Sequence, residues 1–251
     1  MISEHELAKG FGALWNQFFP LLTSNFMRVF NEVYVEKVRD DIGVLNRIAV
    51  SDENTHPDLV AEYAFHLARF ASNKSISVAE AVSSDSLHQE VTLATMKIVE
   101  QYEGQQPSET PRLSEEEITE GLALAKNYER FIKHHGEKPN IQFLPRIAGS
   151  GAIDDCCADL SIKTTLYEVK TVRRNYQSKD LKQLIIYLGL QAMTGERRWL
   201  LGGLFNPREA TYCTFNVDGL VGRLAGGRPP FEAFSELLNA LSSDVDFDTE
   251  F

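Results

Sequence analysis

The hydrophobic pattern of this chain changes period at Pro139, and that change limits the folds open to it. Before Pro139, apolar residues recur at helical spacing; after it, they alternate or cluster as they do in strands. Ser3 with Glu6, Ser77 with Glu80 and Ser114 with Glu117 each set a serine three residues ahead of a glutamate, the capping-box signature of a helix start. Phe18, Phe19, Leu21, Leu22, Phe26 and Phe30 form one dense apolar group. Leu59 through Phe70 form another behind Pro57, a residue suited to the first helical position. These stripes read as core. The run 103–111 is polar and rich in Gly, Pro and Gln, a linker composition. The expectation is therefore an all-helical domain over residues 1–110 and a second domain over 111–251.

In the second domain the pattern predicts a helix over 114–135, ended by Gly136, and a strand over 141–147 broken by Pro145. A turn at Gly149-Ser150-Gly151 and a hairpin within 158–172 follow. Next come a helix over 179–193, strands over 199–205 and 210–217, and a helix over 231–241. This order predicts an α+β or α/β fold with a mixed central sheet flanked by helices. The hairpin concentrates chemistry. Alternation puts Asp159 and Ser161 on one face, and Glu168 shares a face with Lys170. A reversal centred between Lys163 and Thr164 would set residue 159 opposite residue 168. Lys-Thr lacks the Gly or Asn that tight hairpin turns favour, so a longer loop with a shifted register is the competing expectation. Asp154 and Asp155 are rival acids just upstream.

Two carboxylates converging at a sheet edge make a hard oxygen site suited to Mg²⁺ or Mn²⁺. A lysine beside them adds positive charge where a phosphodiester would accumulate negative charge. The net charge of −11 opposes a nucleic-acid partner at first sight. Its distribution reverses that: residues 1–125 carry −11, residues 126–228 carry +6 and residues 229–251 carry −6. The hairpin lies in the basic segment. Arg173, Arg174, Lys179 and Lys182 cluster at its exit, where they are candidates for phosphate contact. Ser150, in its glycine turn, is a candidate for close backbone approach. The three cysteines lack C-x-x-C spacing and read as free thiols in a reducing compartment. No apolar run is long enough to span a bilayer, and the chain starts with neither a basic nor an apolar leader. A cytoplasmic protein that does not enter a membrane is expected, with the acidic helical domain joining copies of the chain or a partner protein.

At Asp159, Glu168 and Lys170 the sequence resembles the PD-(D/E)xK nuclease superfamily. Gln183 and Tyr187 resemble the Gln-x-x-x-Tyr element of its RecB-like branch. The likeness covers roughly residues 114–217, with Ala158 where the family often has proline. It implies a restriction-endonuclease-like domain that cleaves DNA with Mg²⁺ or Mn²⁺. Asp159, Glu168 and the Val169 carbonyl would hold the metal and Lys170 would assist the attacking water. Gln183 and Tyr187 would line the substrate path. The additional acid that the family often takes from its first helix would be Glu129, with Glu120 second. By the same analogy the setting would be restriction or phage defence. The alternative is a catalytically inactive nuclease-like module that binds DNA or protein.

Overall fold

The structure, a computed structural model, describes residues 2–40, 43–51, 56–83, 89–93, 113–135, 140–151, 153–196 and 198–248. It is a mixed α+β protein, 54% helical, with a six-stranded mixed sheet. Among the described residues, no helix is long and apolar enough to cross a membrane. The expected linker at 103–111 and the helix stop at Gly136 lie outside the described residues.

The chain divides into two compact units, and the division is not the expected one. The first unit comprises Met1–Glu36, Asn140–Phe205 and Thr211–Phe251; the second comprises Lys37–Pro139 and Asn206–Ala210. The N-terminal helices α1 (Glu4–Lys9), α2 (Gly12–Phe18) and α3 (Ser24–Val33) thus belong with the sheet. Helix α6 (Glu115–His135) does not. The expectation failed because hydrophobic periodicity reveals which face of a helix is apolar but not which partner covers it. Leu7, Trp15, Phe18, Phe19 and Phe30 share one buried cluster with Leu166, Leu184, Leu204 and Leu237.

The N-terminal stretch is also not all helical, since β1 (Glu36–Lys37) joins the main sheet. β2 (Arg39–Asp40) and β3 (Gly43–Val44) form a separate antiparallel pair. The other strands of the main sheet are β4 (Ile141–Phe143), β7 (Leu160–Ile162), β8 (Thr165–Val169), β9 (Leu201–Asn206) and β10 (Thr211–Asn216). Their order is β1-β10-β9-β8-β7-β4. Pro145 splits the predicted strand 141–147: β4 stays in the sheet, while β5 (Arg146–Ile147) pairs with β6 (Cys156–Cys157). β4 and β8 flank β7 antiparallel, and β9 runs parallel to β8. A parallel neighbour requires a crossover, and α7 (Ser178–Met193) supplies it. Helices α8 (Val217–Leu224) and α9 (Pro230–Asp248) complete the first unit. Glycine at position 203 matters here: Gly203 pairs with Tyr167 across β8 and β9, and any β-carbon on it would collide with the tyrosine ring.

The second unit is built on α4 (Pro57–Lys74) packed against α6, with α5 (Val78–Ser83) alongside. Gly121 permits the close approach, because a β-carbon there would lie 2.6 Å from the Tyr63 ring. The segment Asn206–Ala210, which links β9 to β10, is held by this unit. Arg208, 1% exposed, places Nη2 2.7 Å from Glu120 Oε1. Asn127 donates to the Pro207 carbonyl at 2.8 Å, and Ile48 N–H donates to the Arg208 carbonyl at 2.8 Å. The Arg208 contact is charge pairing more than an aligned hydrogen bond, since neither terminal nitrogen has a hydrogen-bond partner. Replacing Glu120 by Ala should strand a buried guanidinium and cost about 3 to 5 kcal/mol in chemical denaturation. The double change Glu120→Leu with Arg208→Met should cost less than Glu120→Ala alone; an equal or larger loss would show that the pair contributes net stability.

Candidate active site

The β7–β8 hairpin reverses in two residues, with Lys163 in the left-handed region at φ 53°. Its register pairs Leu160 with Tyr167, Ser161 with Leu166 and Ile162 with Thr165. One step further along this register sets Asp159 opposite Glu168. The turn is tight without the expected Gly or Asn because the flanking strands hold it. Lys163 N–H donates to the Asn140 carbonyl at 2.7 Å, and Leu200 N–H donates to the Thr164 carbonyl at 2.9 Å. Asp159 Oδ2 accepts the Val169 N–H at 2.6 Å, which ties the first acid to the strand that bears the second. The rival Asp155 is exposed, and its carboxylate caps the glycine turn by accepting Gly149 N–H at 2.8 Å. Ser150 sits in that turn, where its carbonyl accepts Ile153 N–H at 3.1 Å.

Glu168 shares a strand face with Leu166, the face that α7 covers. It is 2% exposed, and its Oε2 has no hydrogen-bond partner. Oε1 lies 2.5 Å from Lys170 Nζ. Burial first, then repulsion from Asp159, pushes the Glu168 carboxyl well above its usual 4.5, against the pull of Lys170. Burial alone would lower the Lys170 pKa, but Glu168, Asp159 and Asp180 outweigh it and hold the ammonium protonated.

From Lys170 a line of hydrogen bonds runs across α7 to the N-terminus. Lys170 Nζ donates to Gln183 Oε1 at 2.9 Å, and Gln183 Nε2 donates to Tyr187 Oη at 3.0 Å. Tyr187 Oη then donates to Glu4 Oε1 at 3.2 Å. Gln183 and Tyr187 lie one helical turn apart, which puts both on the face turned to β8. Glu4 could not be found from sequence alone. It belongs to the first turn of a capped surface-type helix, and nothing local signals a partner 183 residues away. The acid expected in this role, Glu129, lies in the second unit and pairs with Lys133 at 2.8 Å. Glu120, the other candidate, is the partner of Arg208.

The basic cluster separates into different roles. Arg174 grips Asp180 through Nη1 at 2.6 Å and Nη2 at 2.9 Å, while Asp180 also accepts Gln177 N–H at 2.8 Å. Arg174 therefore anchors the start of α7. The side chain of Asn31, on α3, accepts Tyr176 N–H at 3.0 Å and donates to the Tyr176 carbonyl at 2.9 Å. The loop from β8 to α7 is thus held at two points. Lys182 lies 5.1 Å from the Trp15 ring centre, and burial lowers its pKa. Arg173 and Lys179 are exposed.

Among the described residues, no three His, Cys, Asp or Glu side chains form a metal-binding group by themselves. The donor set nonetheless suits a hard divalent ion that retains water. The Glu168 Oε2 atom is an orphaned buried acceptor, and Asp159 and the Val169 backbone stand beside it. A cation there would reverse both influences that raise the Glu168 pKa.

Two outcomes test this geometry. Without a cation, the raised Glu168 pKa favours the folded state at acid pH, and that contribution is lost as pH climbs through the folded value. Mn²⁺ must displace the same proton, so calorimetry should show affinity rising with pH above 4.5, and Glu168→Gln should weaken binding about ten-fold or more. Mn²⁺ affinity that is independent of pH would contradict it. Arg174→Ala should cost about 1 to 3 kcal/mol by leaving buried Asp180 without its countercharge, while leaving the salt dependence of DNA binding unchanged.

Comparison of the chain with protein-family models, with curated proteins and with solved structures gives no match.

Proposed function

We propose that the first unit is a metal-dependent nuclease of the PD-(D/E)xK kind, with a restriction-endonuclease-like sheet, that hydrolyses DNA phosphodiester bonds. The observation that carries this reading is the placement of Asp159 opposite Glu168, with Lys170 joined through Gln183 and Tyr187 to Glu4. Asp159, Glu168 and the Val169 carbonyl would hold Mg²⁺ or Mn²⁺. The bound ion would supply Lewis acidity and lower the pKa of water.

The chain's own groups do the rest. Lys170, whose proton is held by Glu168, Asp159 and Asp180, is a positive hydrogen-bond donor toward the phosphoryl oxygens or the water. Gln183 fixes the ammonium by accepting one of its protons. Tyr187 is held in its neutral form by burial, then by Glu168, Asp159 and Glu4, so its hydroxyl stays a donor. Glu4 takes the place expected of Glu129: it is the further acid at the edge of the site, contributed by α1.

A second reading, a nuclease-like module that binds DNA without cutting it, draws on the short Lys170–Glu168 contact, which pairs both charges without a cation. A cleavage assay on linear and supercoiled DNA with Mg²⁺ or Mn²⁺ separates the two. Cleavage by wild type should fall at least about a hundred-fold in Asp159→Asn and in Lys170→Ala, and measurably in Glu4→Gln. Equal rates in wild type and Asp159→Asn would remove the acid pair from the chemistry, and inactivity of wild type with DNA binding retained would favour the second reading.

A further inference from the structure

Helix α1 brings more than Glu4 to this edge of the sheet. His5 and Lys9 are exposed on the same helix, and Lys179 is exposed in the first turn of α7. The two helices pack together and are tied by the Tyr187 to Glu4 hydrogen bond. Trp15 donates to the Leu7 carbonyl at 3.1 Å and its ring lies 5.1 Å from Lys182, which sets α1 against the first turns of α7, and His5 feels the charges of Lys9, Lys170, Glu4 and Lys179. Exposed cations of α1 and α7 therefore flank the helix turn that presents Glu4 to Tyr187.

The partners of these cations differ from those of the other basic residues here. Arg174 is taken by Asp180 and Lys170 by Glu168 and Gln183. Among the described residues, neither Lys9 nor Lys179 forms a salt bridge. Glu4 is the acid that acts on His5 here, and it is held by Tyr187, so a polyanion placed against Lys9 and Lys179 would supply an ion pairing that neither lysine makes among the described residues. Lysine on a flexible stem contacts phosphate as a point charge with no sequence preference. We infer that His5, Lys9 and Lys179 form a phosphate-backbone contact that seats a nucleic-acid strand alongside Glu168 and Lys170, engaging phosphates other than the one at the acid pair.

This inference rests on the nucleic-acid reading of the site but not on cleavage, and its test is a binding measurement. Fluorescence anisotropy of a labelled DNA oligonucleotide, with Ca²⁺ replacing Mg²⁺, would compare wild type with the Lys9→Ala/Lys179→Ala double variant across a salt series. Lys163→Ala, at the far end of the β7–β8 hairpin, is the control. The double variant should bind about ten-fold more weakly at low salt, and its slope of log affinity against log salt should fall by about 2. His5→Gln should weaken binding less, and Lys163→Ala should match wild type. An unchanged slope in the double variant, an equal loss in Lys163→Ala, or no DNA binding by wild type would each overturn the inference. If binding follows the expected pattern while no cleavage occurs, the nuclease reading fails and this contact stands. If DNA is cut but the double variant binds like wild type, the reverse holds.

Discussion

Burial of the Glu168 carboxylate on an inner strand is the constraint on which the rest of this site depends. A carboxylate removed from water needs a countercharge or a proton, and Lys170 two residues on is placed to supply the first. That lysine is itself largely buried and needs further acceptors, which brings Gln183 and then Tyr187 into the same line. Each group in the line satisfies the next, so the polar network and the packing of α7 over β8 require one another. The Glu168 Oε2 atom is the point where this satisfaction stops. An unpaired acceptor beside a second acid is the feature a divalent ion would use.

The scaffold gives that constraint its precision. β8 lies between an antiparallel neighbour that carries Asp159 and a parallel neighbour, β9, whose glycine accommodates the Tyr167 ring. Tyr167 Oη reaches Thr214 at 3.2 Å, so a side chain on the face opposite Glu168 also fixes β8 laterally. Beyond the strand, Asn31 and the Arg174–Asp180 pair hold the loop that delivers α7. Asn31, which no local signal singles out, and Arg174, a candidate phosphate contact in sequence, both fix this loop.

The N-terminal helices contribute on both counts. Their aromatic residues close the hydrophobic cluster beneath α7 and α9, and their first turn presents Glu4 to Tyr187. The second unit has an independent core between α4 and α6, with a buried ion pair holding the segment Asn206–Ala210.

The sequence alone showed the local elements and the candidate trio Asp159, Glu168 and Lys170. Capping boxes, the period change at Pro139 and the spacing of Asp159, Glu168 and Lys170 are properties of neighbouring residues, so they survive reading one window at a time. The hairpin register was one of the pairings that side-chain alternation admits, and the structure selects it. Turn chemistry pointed the other way, since Lys163 adopts a conformation that only its flanking strands enforce. Tertiary structure decided the partition into units, the meeting of Glu4 with Tyr187 while Glu129 pairs with Lys133, and the pairing of Arg174 with Asp180. Each of these depends on which apolar face covers which. Hydrophobic burial is non-directional and does not record its partner in local sequence, so only the folded chain brings residue 4 to residue 187.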